Sequence, residues 1–511
     1  MKRLLYSSNI IIVFVLLVYV LLAGFKLSYP GIQYDEILFG NAARGGYIDD
    51  TFIVKRLFGL PVFLMEYIGA LKAYIYIPIF FIFGVSSFTI RFPVILFTAV
   101  GLIYFYKFTA LFFNKTIGIL ALLLLITHPD FIAFTRADVG PSVFTFVFRC
   151  SALYYFSLWL KTKKFINVIW IFVSVVLGWY SKMDYLWFTI GSLTASVILY
   201  RTYLIERIKK INSFLLRLIA VFCFAFIVFI FYWAVKKDFL VSFSFQTNHF
   251  IELISSGYKL LIGTSFYTMI YGQKNSVLHI ASFCTQVILF FLSIFFITKF
   301  KNIYKKQISF IWIILIMIML QMTLVIISGA PWHLFYIFPF MQILLSFSVF
   351  YLSKTKYIYV SLLLFGLLIS YQLYSYGVTV HAYTNVRPKD RWSTSIYQLI
   401  DYAKKSNKKF VSTDWGTGTQ LLTYDYQKNK YYNYWPRFNE QPLTDTNSRN
   451  LYETFYRNKD SIFIVYPVNN SVFPQTKTNT MEIAKKNKMK LTKIKEIKDG
   501  NRVIYELYIA E

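Results

Sequence analysis

Acidic residues are scarce in this chain, and charged residues of either sign are few. Asp and Glu number 24 in 511 residues, Lys and Arg number 53, and together they make up 15%. Soluble globular proteins carry about 25% charged residues, so this composition excludes a water-soluble enzyme and a disordered chain. The surplus of basic residues lies largely in short breaks between apolar runs, which argues against a nucleic-acid partner.

Cysteine is equally scarce. Cys150, Cys223 and Cys284 all lie inside apolar runs, and they predict neither a disulfide framework nor a metal cluster. We interpret them as small buried apolar side chains. A clear small-x-small cleavage site is also missing after the apolar run that follows Met1-Lys2-Arg3. We therefore expect this run to stay attached as a first membrane span rather than to act as a signal peptide.

Long apolar runs dominate the chain up to residue 384. A membrane helix needs about 20 mostly apolar residues, and about eleven runs approach that length. The predicted spans are Ile10–Phe25, Phe92–Phe112, Thr116–Phe134, Val139–Leu160, Phe165–Tyr180, Tyr185–Tyr200, Phe214–Val235, Ser276–Thr298, Ile308–Ser328, Leu334–Leu352 and Tyr357–Tyr376. Residues 1–384 therefore predict a polytopic α-helical membrane domain with additional helices at the interface.

The loops between these runs place their Lys and Arg on one side. With a cytoplasmic N-terminus, the inner loops contain KTKK at 161–164, RTYLIERIKK at 201–210, KFKNIYKK at 299–306 and SKTK at 353–356. This pattern follows the positive-inside rule and predicts a multi-pass protein of the cell (inner) membrane. The apolar segment 67–84 would invert the pattern if it crossed the membrane. We therefore expect it to lie at the outer interface, within a long first loop, 26–91.

The composition changes near Thr384, where the long apolar runs end. Residues 385–511 predict a small α/β domain, which an odd number of spans places on the extracytoplasmic side. Its predicted elements are a helix at Ser395–Ser406, strands at Lys409–Thr413 and Ser461–Tyr466, a helix at Thr478–Lys488, and a strand pair at Leu491–Ile497 and Arg502–Ile509.

Ionisable residues gather in the predicted outer connections, beside the ends of the spans. Such residues are costly at a membrane and indicate a functional site. A carboxylate can act there as a general base on an acceptor hydroxyl, while Lys and Arg can hold a phosphate. Carboxylates can also hold a divalent cation, so a metal bound by Asp35 or Glu36 stays open. The candidates are Asp35 and Glu36 in the first connection, Arg136 and Asp138 in the second, Lys182 and Asp184 in the third, and His333 in the fourth.

Each of these residues also has a plain structural interpretation. Asp35 with Glu36 can be a solvated loop pair. Arg136 with Asp138 can be an interfacial ion pair. Lys182 can extend toward lipid headgroups, and His333 can be a satisfied polar residue. The residue types alone do not decide between these interpretations and a site.

Five segments around these residues resemble the polytopic GT-C glycosyltransferases, specifically the family 39-like bacterial enzymes related to protein O-mannosyltransferases and aminoarabinose transferases. The resemblance covers roughly residues 10–376. The acidic pair of the first loop, followed by the FG-x-x-x-x-x-x-R-x-P pattern at 83–93, is moderately specific. The segments are YDEILFGNAARGGYI at 34–48, YIGALKAYIYIPIFFIFGVSSFTIRFP at 67–93, TRADVGPS at 135–142, GWYSKMDYLWF at 178–188 and SGAPWHLFYIFPF at 328–340.

The resemblance implies an inverting glycosyltransferase that works on the extracytoplasmic face. Its donor would be a polyprenyl-phosphate-linked sugar, and its acceptor a glycan, lipid or protein. Asp35 becomes the leading candidate for acceptor activation or metal contact, with Glu36 as its helper. The loop Lys236–Asn275 has room for an interfacial helix that covers the site. The residues implied near the donor phosphate or the sugar are Lys72, Arg136, Asp138, Lys182 and His333.

A polytopic transporter or lipid flippase is the main alternative, because it explains many helices and buried charges equally well. Transporters often contain paired repeats and matching helices broken by Gly or Pro, and neither is visible in this sequence. A non-catalytic membrane scaffold is a further alternative. It accounts for residues 385–511 but leaves the charged residues of the outer connections unexplained.

Overall fold

The computed structural model describes residues 2–45, 55–65, 67–208, 246–272, 276–299, 304–325, 330–427, 429–467 and 471–511. Within these ranges the chain is mainly helical, with a three-stranded sheet in the first loop and a five-stranded sheet near the C-terminal end. The predicted span Phe214–Val235 lies outside the described residues.

The membrane domain is a bundle of apolar helices. In chain order its elements are α1 (Lys2–Gly24), α2 (Tyr34–Ala43), β1 (Lys55–Leu57), β2 (Leu60–Met65), β3 (Ile68–Gly69), α3 (Leu71–Phe83), α4 (Ser87–Phe112), α5 (Lys115–Ile126), α6 (Pro129–Ala137), α7 (Ser142–Thr162), α8 (Ile166–Ser181), α9 (Tyr185–Ile208), α10 (Thr247–Leu261), α11 (Ser265–Tyr271), α12 (Val277–Lys299), α13 (Lys305–Leu324), α14 (Pro331–Leu334), a 3₁₀ turn (Phe335–Ile337), α15 (Phe338–Ser353) and α16 (Ile358–Asn385). Each predicted span within the described residues corresponds to one of these helices or to a consecutive pair.

Seven helical segments of the described chain are long and apolar enough to cross a membrane, and the bent pair α5–α6 makes an eighth if it counts as one span. The apolar part of α1 and the helix α8 are shorter. The segment formed by α14 and α15 is the most enclosed, with 89% of its apolar window buried, whereas α9 has 17% buried and lies at the periphery. These findings confirm the predicted polytopic helical class.

The predicted span Thr116–Phe134 is not one straight helix. α5 and α6 meet at an angle of 68°. His128, between them, has an extended backbone, and Pro129 begins α6. Proline cannot continue the preceding helix and disfavours helical geometry in the residue before it, so the bend has a local cause. The carboxylate of Asp130 then accepts the first two backbone N–H groups of α11, at 2.9 and 2.8 Å.

The first loop folds into α2, an antiparallel sheet of order β1-β2-β3, and α3. α3 has 13 residues, so it extends about 20 Å at 1.5 Å per residue and falls short of the roughly 30 Å hydrocarbon core. The segment 67–84 thus contains a helix shorter than the hydrocarbon core, and its place in an outer loop stays a prediction.

The described part of the loop Lys236–Asn275 forms α10 and α11. α10 is amphipathic, because Leu253 and Leu260 are buried while Ile251 and Ile254 are exposed. α10 contacts α14, the short helix that carries one of the predicted site residues. A helix with one apolar face exposed is typical of the membrane interface. A helix is thus present in this loop beside α14, and its position at the membrane interface stays a prediction.

The C-terminal domain is an α/β unit, as predicted. Its sheet has the order β5-β4-β6-β8-β7; β4 pairs in parallel with β5 and β6, while β8 pairs antiparallel with β6 and β7. The three-residue strand β5 was not predicted, since it is too short to show an alternating pattern. The elements are α17 (Ser395–Lys405), β4 (Lys409–Ser412), α18 (Thr417–Tyr424), β5 (Tyr431–Asn433), α19 (Trp435–Phe438), α20 (Asp445–Leu451), a π-helical turn (Tyr452–Tyr456), β6 (Ser461–Val465), α21 (Pro474–Lys486), β7 (Leu491–Asp499) and β8 (Arg502–Ala510).

Candidate active site

The acidic pair lies in the first turn of α2, where the local sequence forms a capping box. The backbone N–H of Asp35 donates to the side-chain oxygen of Gln33 at 2.6 Å. The backbone N–H of Gln33 donates to Glu36 Oε1 at 3.1 Å. These reciprocal bonds fix the start of the helix. Asp35 is left partly exposed, whereas Glu36 is fully buried.

Glu36 forms a buried ion pair with Arg91 at the start of α4. Nε and Nη2 of Arg91 each lie 2.7 Å from a carboxylate oxygen. Nη1 of Arg91 donates to the carbonyl oxygens of Leu27 at 2.6 Å and Pro30 at 2.9 Å. Both carboxylate oxygens of Glu36 are therefore engaged, and the pair ties the first loop to α4. These are the contacts of a positioning residue.

Asp35 lies within the electrostatic reach of two cations from distant parts of the chain. Burial raises the pKa of its carboxyl group to about 6, and the positive charges of Arg391 and Lys182 oppose that rise. An aspartate with this pKa is mostly ionised at neutral pH, yet it takes up a proton more readily than an ordinary aspartate of pKa about 3.9. Asp35 therefore has the properties of a general base.

Lys72 and Asp138 form a second buried ion pair. Lys72 Nζ lies 2.8 Å from Asp138 Oδ2 and donates to the Asp138 carbonyl oxygen at 3.2 Å. Asp138 Oδ1 accepts the backbone N–H of Val143 at 2.9 Å, in the first turn of α7. The Lys72 ammonium also lies 4.8 Å from the ring centroid of Phe39. The pair thus joins α3 to the turn between α6 and α7.

Arg136, in the last turn of α6, is buried and directed toward the end of α1. Its Nη1 donates to the carbonyl oxygen of Phe25 at 2.8 Å, and its Nη2 donates to two carbonyl oxygens of segment 26–29. Its guanidinium carbon lies 4.8 Å from the ring centroid of Tyr383 in α16. The interfacial ion pair considered from the sequence is not the arrangement found, because Asp138 pairs with a lysine instead.

Lys182, directly after α8, forms a third ion pair, with Asp184. Lys182 Nζ lies 2.6 Å from Asp184 Oδ2. The Tyr336 hydroxyl donates to Asp184 Oδ1 at 2.5 Å, and Arg149 Nη1 donates to the Tyr336 carbonyl oxygen at 2.6 Å. The guanidinium of Arg149 lies 4.2 Å from the Tyr336 ring centroid. A continuous set of polar contacts therefore connects α7, the α8–α9 turn and the 3₁₀ turn before α15.

Two buried nitrogen atoms in this area have no hydrogen-bond partner among the described residues. They are His333 Nδ1 and Arg149 Nη2. The His333 ring packs edge-on against Trp187, with the ring centroids 5.7 Å apart. Buried polar atoms without partners are rare in native proteins, and each calls for an explanation such as a ligand. His333 and Arg149 therefore count among the candidate binding residues.

The C-terminal domain packs against the segment that leads into Asp35. The Tyr34 ring lies edge-on to the ring of Trp415, with centroids 5.5 Å apart. Gln420 Nε2, in α18, donates to the Ile32 carbonyl oxygen at 2.6 Å. The acidic pair therefore lies at the junction between the membrane domain and the C-terminal domain.

Arg391 is a site residue that the sequence did not indicate. It precedes α17, its guanidinium lies 5.9 Å from the Trp415 ring centroid, and its charge acts on Asp35. It lies far from Asp35 in the sequence, within a domain interpreted separately, so no local signal could have found it. Arg91 and Tyr336 are also not among the predicted site residues, although both belong to the segments that carry the family resemblance.

The described residues around Asp35 do not by themselves form a complete ligand set for a divalent cation. Within the described ranges, no group of three or more His, Cys, Asp or Glu side chains is arranged to hold a metal ion. Glu36 uses both oxygens in its pair with Arg91, and the strongest charge acting on Asp35 is the cation Arg391. Hard cations require several oxygen ligands. We therefore assign no catalytic step to a metal.

Most of the predicted site residues meet at one end of the helix bundle. Lys72 pairs with Asp138, and the charge of Lys182 acts on both Asp35 and His333. An isolated bridge between Ile68 of β3 and Lys182 brings the first loop to the α8–α9 turn. Arg136 is the exception, because its guanidinium points away from these groups and contacts the end of α1.

Residues 70–233 match the model of a family described as dolichyl-phosphate-mannose-protein mannosyltransferase. Comparison with curated proteins gave no match. Among solved structures, the chain is similar to ArnT from Cupriavidus metallidurans bound to undecaprenyl phosphate, with a TM-score of 0.58 and 11% identity over 98% of each chain. It is also similar to the oligosaccharyltransferase AglB from Archaeoglobus fulgidus in complex with an inhibitory peptide and a dolichol-phosphate. That match has a TM-score of 0.55 and 13% identity, and covers 90% of this chain and 69% of that chain.

These likenesses confirm the resemblance found in the sequence. At 11% and 13% identity, the two solved structures share the fold with this chain, so the chain has the GT-C fold. The family match, residues 70–233, includes α3 to α9 and the turns between them, and it contains Lys72, Arg136, Asp138 and Lys182. Together they confirm the prediction of a polytopic membrane glycosyltransferase.

Proposed function

We propose that this glycosyltransferase moves a sugar from a polyprenyl-phosphate donor to an acceptor hydroxyl, with Asp35 as the general base. The observation that carries the proposal is the environment of Asp35, which is partly exposed and has a pKa of about 6. The similar structures were solved with undecaprenyl phosphate and with dolichol-phosphate. A sugar carried on such a lipid phosphate is therefore the donor that suits this fold.

The reaction is a direct displacement at the anomeric carbon. Asp35 takes the proton of the acceptor hydroxyl while the hydroxyl oxygen forms a bond to the anomeric carbon. The bond between that carbon and the donor phosphate oxygen breaks, and polyprenyl phosphate leaves with the electron pair. One bond forms as one breaks, so the anomeric configuration inverts. A positioned general base contributes roughly 10²–10⁴-fold to the rate.

Lys182, Arg149 and His333 provide the groups that face the leaving phosphate. Lys182 Nζ is buried beside Asp184, and Arg149 and His333 each have a buried nitrogen without a hydrogen-bond partner among the described residues. Cationic and N–H donors of this kind stabilise the negative charge that grows on the phosphate during displacement. The nearby pair of Lys72 and Asp138 keeps the surrounding turns in position.

An apolar cavity supports a binding place for the lipid chain. It lies between α7, α8, α9 and α13 and has a volume of about 280 Å³. Its lining extends along α9 from Phe188, a short distance after Lys182, to Leu204 near the other end of the helix. A polyprenyl chain in this cavity would keep its phosphate at the Lys182 end.

We also propose that the site faces the extracytoplasmic side of the cell (inner) membrane and that the N-terminus is cytoplasmic. The support is the placement of the basic loops at the opposite helix ends. Single cysteines at Phe58 and Asp445, both strongly exposed, should react from outside intact cells in a cysteine-free background. A cysteine at Lys163, in an inner loop, should not. Labelling at only one of the first two positions would contradict the topology.

The enzymatic proposal is tested with the purified chain in liposomes that contain a panel of polyprenyl-phosphate sugars. Without an added acceptor the sugar passes to water, and the polyprenyl phosphate released in this step is measured by mass spectrometry for the natural chain, for Asp35→Asn and for the exposed control Asp401→Asn. Release by the natural chain and the control, but at least about a hundredfold less by Asp35→Asn, is the expected result. A lipid that crosses the bilayer with its sugar intact would instead support the transporter.

A further inference from the structure

Three aromatic side chains gather at one edge of the C-terminal sheet. Trp415 follows β4, Trp435 follows β5, and Phe473 follows β6. Because β4 pairs in parallel with both β5 and β6, these residues come from the carboxyl ends of neighbouring parallel strands. In open α/β sheets, ligands bind outside this end of the strands. We call the three residues the aromatic edge.

The rings of the aromatic edge are nearly parallel and close together. Trp415 lies 5.6 Å from Trp435 and 5.9 Å from Phe473, measured between ring centroids, and Trp435 lies 4.8 Å from Phe473. The planes differ by 12° or less. Each residue stays partly exposed. Nearly parallel rings this close overlap face over face, so the three side chains form a stack that offers its remaining exposed ring surface to a ligand.

A buried carboxylate holds this surface in place. Asp414 accepts the backbone N–H of Trp415 at 2.6 Å and that of Val472 at 3.1 Å, and it also accepts the hydroxyl of Ser471. Asp414 therefore joins the segment after β4 to the segment after β6, and it sets the position of Trp415 relative to Phe473. A surface that is rigid before binding loses less conformational entropy when a ligand arrives.

The aromatic edge adjoins the proposed general base. Tyr34, the neighbour of Asp35 in the sequence, packs against Trp415. Arg391 lies over the Trp415 ring, and its charge acts on Asp35. Two independent contacts therefore connect the aromatic edge with the opening at which an acceptor hydroxyl would lose its proton. The donor groups around Lys182 belong to the membrane helices instead.

We propose that the aromatic edge binds the acceptor and that the acceptor is a saccharide. One sugar ring would lie with its C–H face against the exposed side of the stack that Trp435 and Phe473 form, while a hydroxyl group reaches Asp35. This inference rests on the proposed transferase function. Parallel aromatic faces suit the flat, apolar face of a sugar ring, whereas extended peptides are usually bound along strand edges or in grooves. A peptide acceptor is therefore the competing outcome.

The test uses the full chain in detergent with tetrasaccharides of glucose, galactose, mannose and N-acetylglucosamine, and with a serine-containing hexapeptide. Binding is followed by saturation-transfer NMR, and transfer by mass spectrometry. At least one tetrasaccharide should bind and accept sugar. Trp435→Leu and Phe473→Leu should each raise its Kd and KM about tenfold, as removal of an aromatic binding residue does. The KM for the donor should stay within about twofold.

Two further variants separate binding from folding. Trp435→Phe keeps an aromatic face and should restore most of the affinity lost in Trp435→Leu. Tyr402→Leu removes a half-buried aromatic residue of α17. Its ring packs against Lys495 and Phe410, away from the carboxyl ends of the parallel strands. It should leave the tetrasaccharide Kd unchanged. Equal losses in Tyr402→Leu, or no rescue by Trp435→Phe, would show a merely structural role and overturn the inference.

The slow release of polyprenyl phosphate to water, measured without an acceptor, reports on the proposed function separately. If the natural chain releases polyprenyl phosphate but binds no tetrasaccharide, or binds only the hexapeptide, the saccharide inference fails and the transferase proposal stands. If no donor is consumed, the transferase proposal fails. In that case, tetrasaccharide binding that depends on Trp435 would still identify a sugar site. If no tetrasaccharide binds either, the saccharide inference is overturned together with the transferase proposal.

Discussion

Asp35 and Glu36 are neighbours in the sequence, yet they belong to two different regions of the molecule. Glu36 is part of a loop clamp, which we define as Glu36, Arg91 and Arg136. Asp35 belongs to the site opening, defined as Asp35, Lys182 and Arg391. The two regions contain similar residue types and differ in what surrounds the charges.

The loop clamp holds its charged groups against fixed partners, which are Glu36 for Arg91 and backbone carbonyl oxygens for both arginines. The arginines of the clamp are almost fully buried, and their guanidinium groups donate to backbone carbonyl oxygens between Phe25 and Gly31 as well as to Glu36. These bonds satisfy carbonyl groups that would otherwise be buried without partners. In the site opening, by contrast, Asp35 stays partly exposed and forms no ion pair with a described residue, although Lys182 is itself paired with Asp184. Charge in the clamp serves the fold, and charge in the opening remains usable for chemistry.

The largest expected effect comes from Asp35→Asn. The variant should lose roughly 10²–10⁴-fold in kcat, because the acceptor hydroxyl loses its base. Its Tm should stay equal or rise. Between pH about 3.9 and 6 the folded chain binds more protons at Asp35 than the unfolded chain, so stability declines as pH rises, and a neutral Asn removes that decline. Near-normal turnover would return Asp35 to the interpretation of a solvated loop residue.

Glu36→Gln should show the opposite combination. It leaves the buried Arg91 without its charged partner, which costs about 3–5 kcal/mol of unfolding free energy for an uncompensated buried charge. Thermal unfolding in detergent measures the loss as a lower Tm. The protein that remains folded should keep most of its kcat. A strong loss of kcat at unchanged Tm would show that Glu36 acts in the site opening rather than in the clamp.

Smaller effects should separate Arg136 from Lys182, two basic residues that follow the same pattern in the sequence. Arg136→Gln removes hydrogen bonds to buried carbonyl groups and should cost about 2–3 kcal/mol of stability. Lys182→Gln should also lower the Tm, because it removes the buried cation paired with Asp184, and it should in addition raise the KM for the donor. Arg136→Gln should leave the donor KM unchanged. The Tm and the donor KM are measured for both variants, and an equal rise of the donor KM in both would remove the distinction between clamp and opening.

The helical class and the common side of the charged residues were predictable, because both depend on local features. Run length identifies the spans, and Lys and Arg in short loops indicate the side of each connection. Pro129 indicates a break in the helix, but the apolar run around it is long enough to predict one straight span. The prediction therefore lacked the 68° bend. Prediction succeeded where neighbours in sequence decide the outcome.

The partners of the charges were not predictable, because side-chain direction decides them. Arg136 and Asp138 are two positions apart, and residues with this spacing at a helix end do not face each other. Asp138 meets Lys72 from the first loop, while Arg136 meets the end of α1. Arg391 reaches Asp35 only because the C-terminal domain docks on segment 31–34, and no sequence pattern announces that contact.

The pH profile of transfer gives the finest test of the site opening. The general base works in its ionised form, so kcat/KM should fall as the pH drops below about 6. Arg391 favours the ionised carboxylate through its positive charge. Arg391→Gln should therefore raise the pKa of Asp35 and move the midpoint of the profile to higher pH, with only a small loss of the maximal rate at alkaline pH.

Lys405→Gln is the matched control, because it removes the same unit charge from an exposed position on α17. Its profile should coincide with that of the natural chain. Loss of maximal rate without a shift of the midpoint in Arg391→Gln would mean that Arg391 binds a substrate instead of tuning the base. A midpoint at lower pH would contradict the sign of the interaction, since removing a cation can only disfavour the ionised form of a nearby carboxyl group.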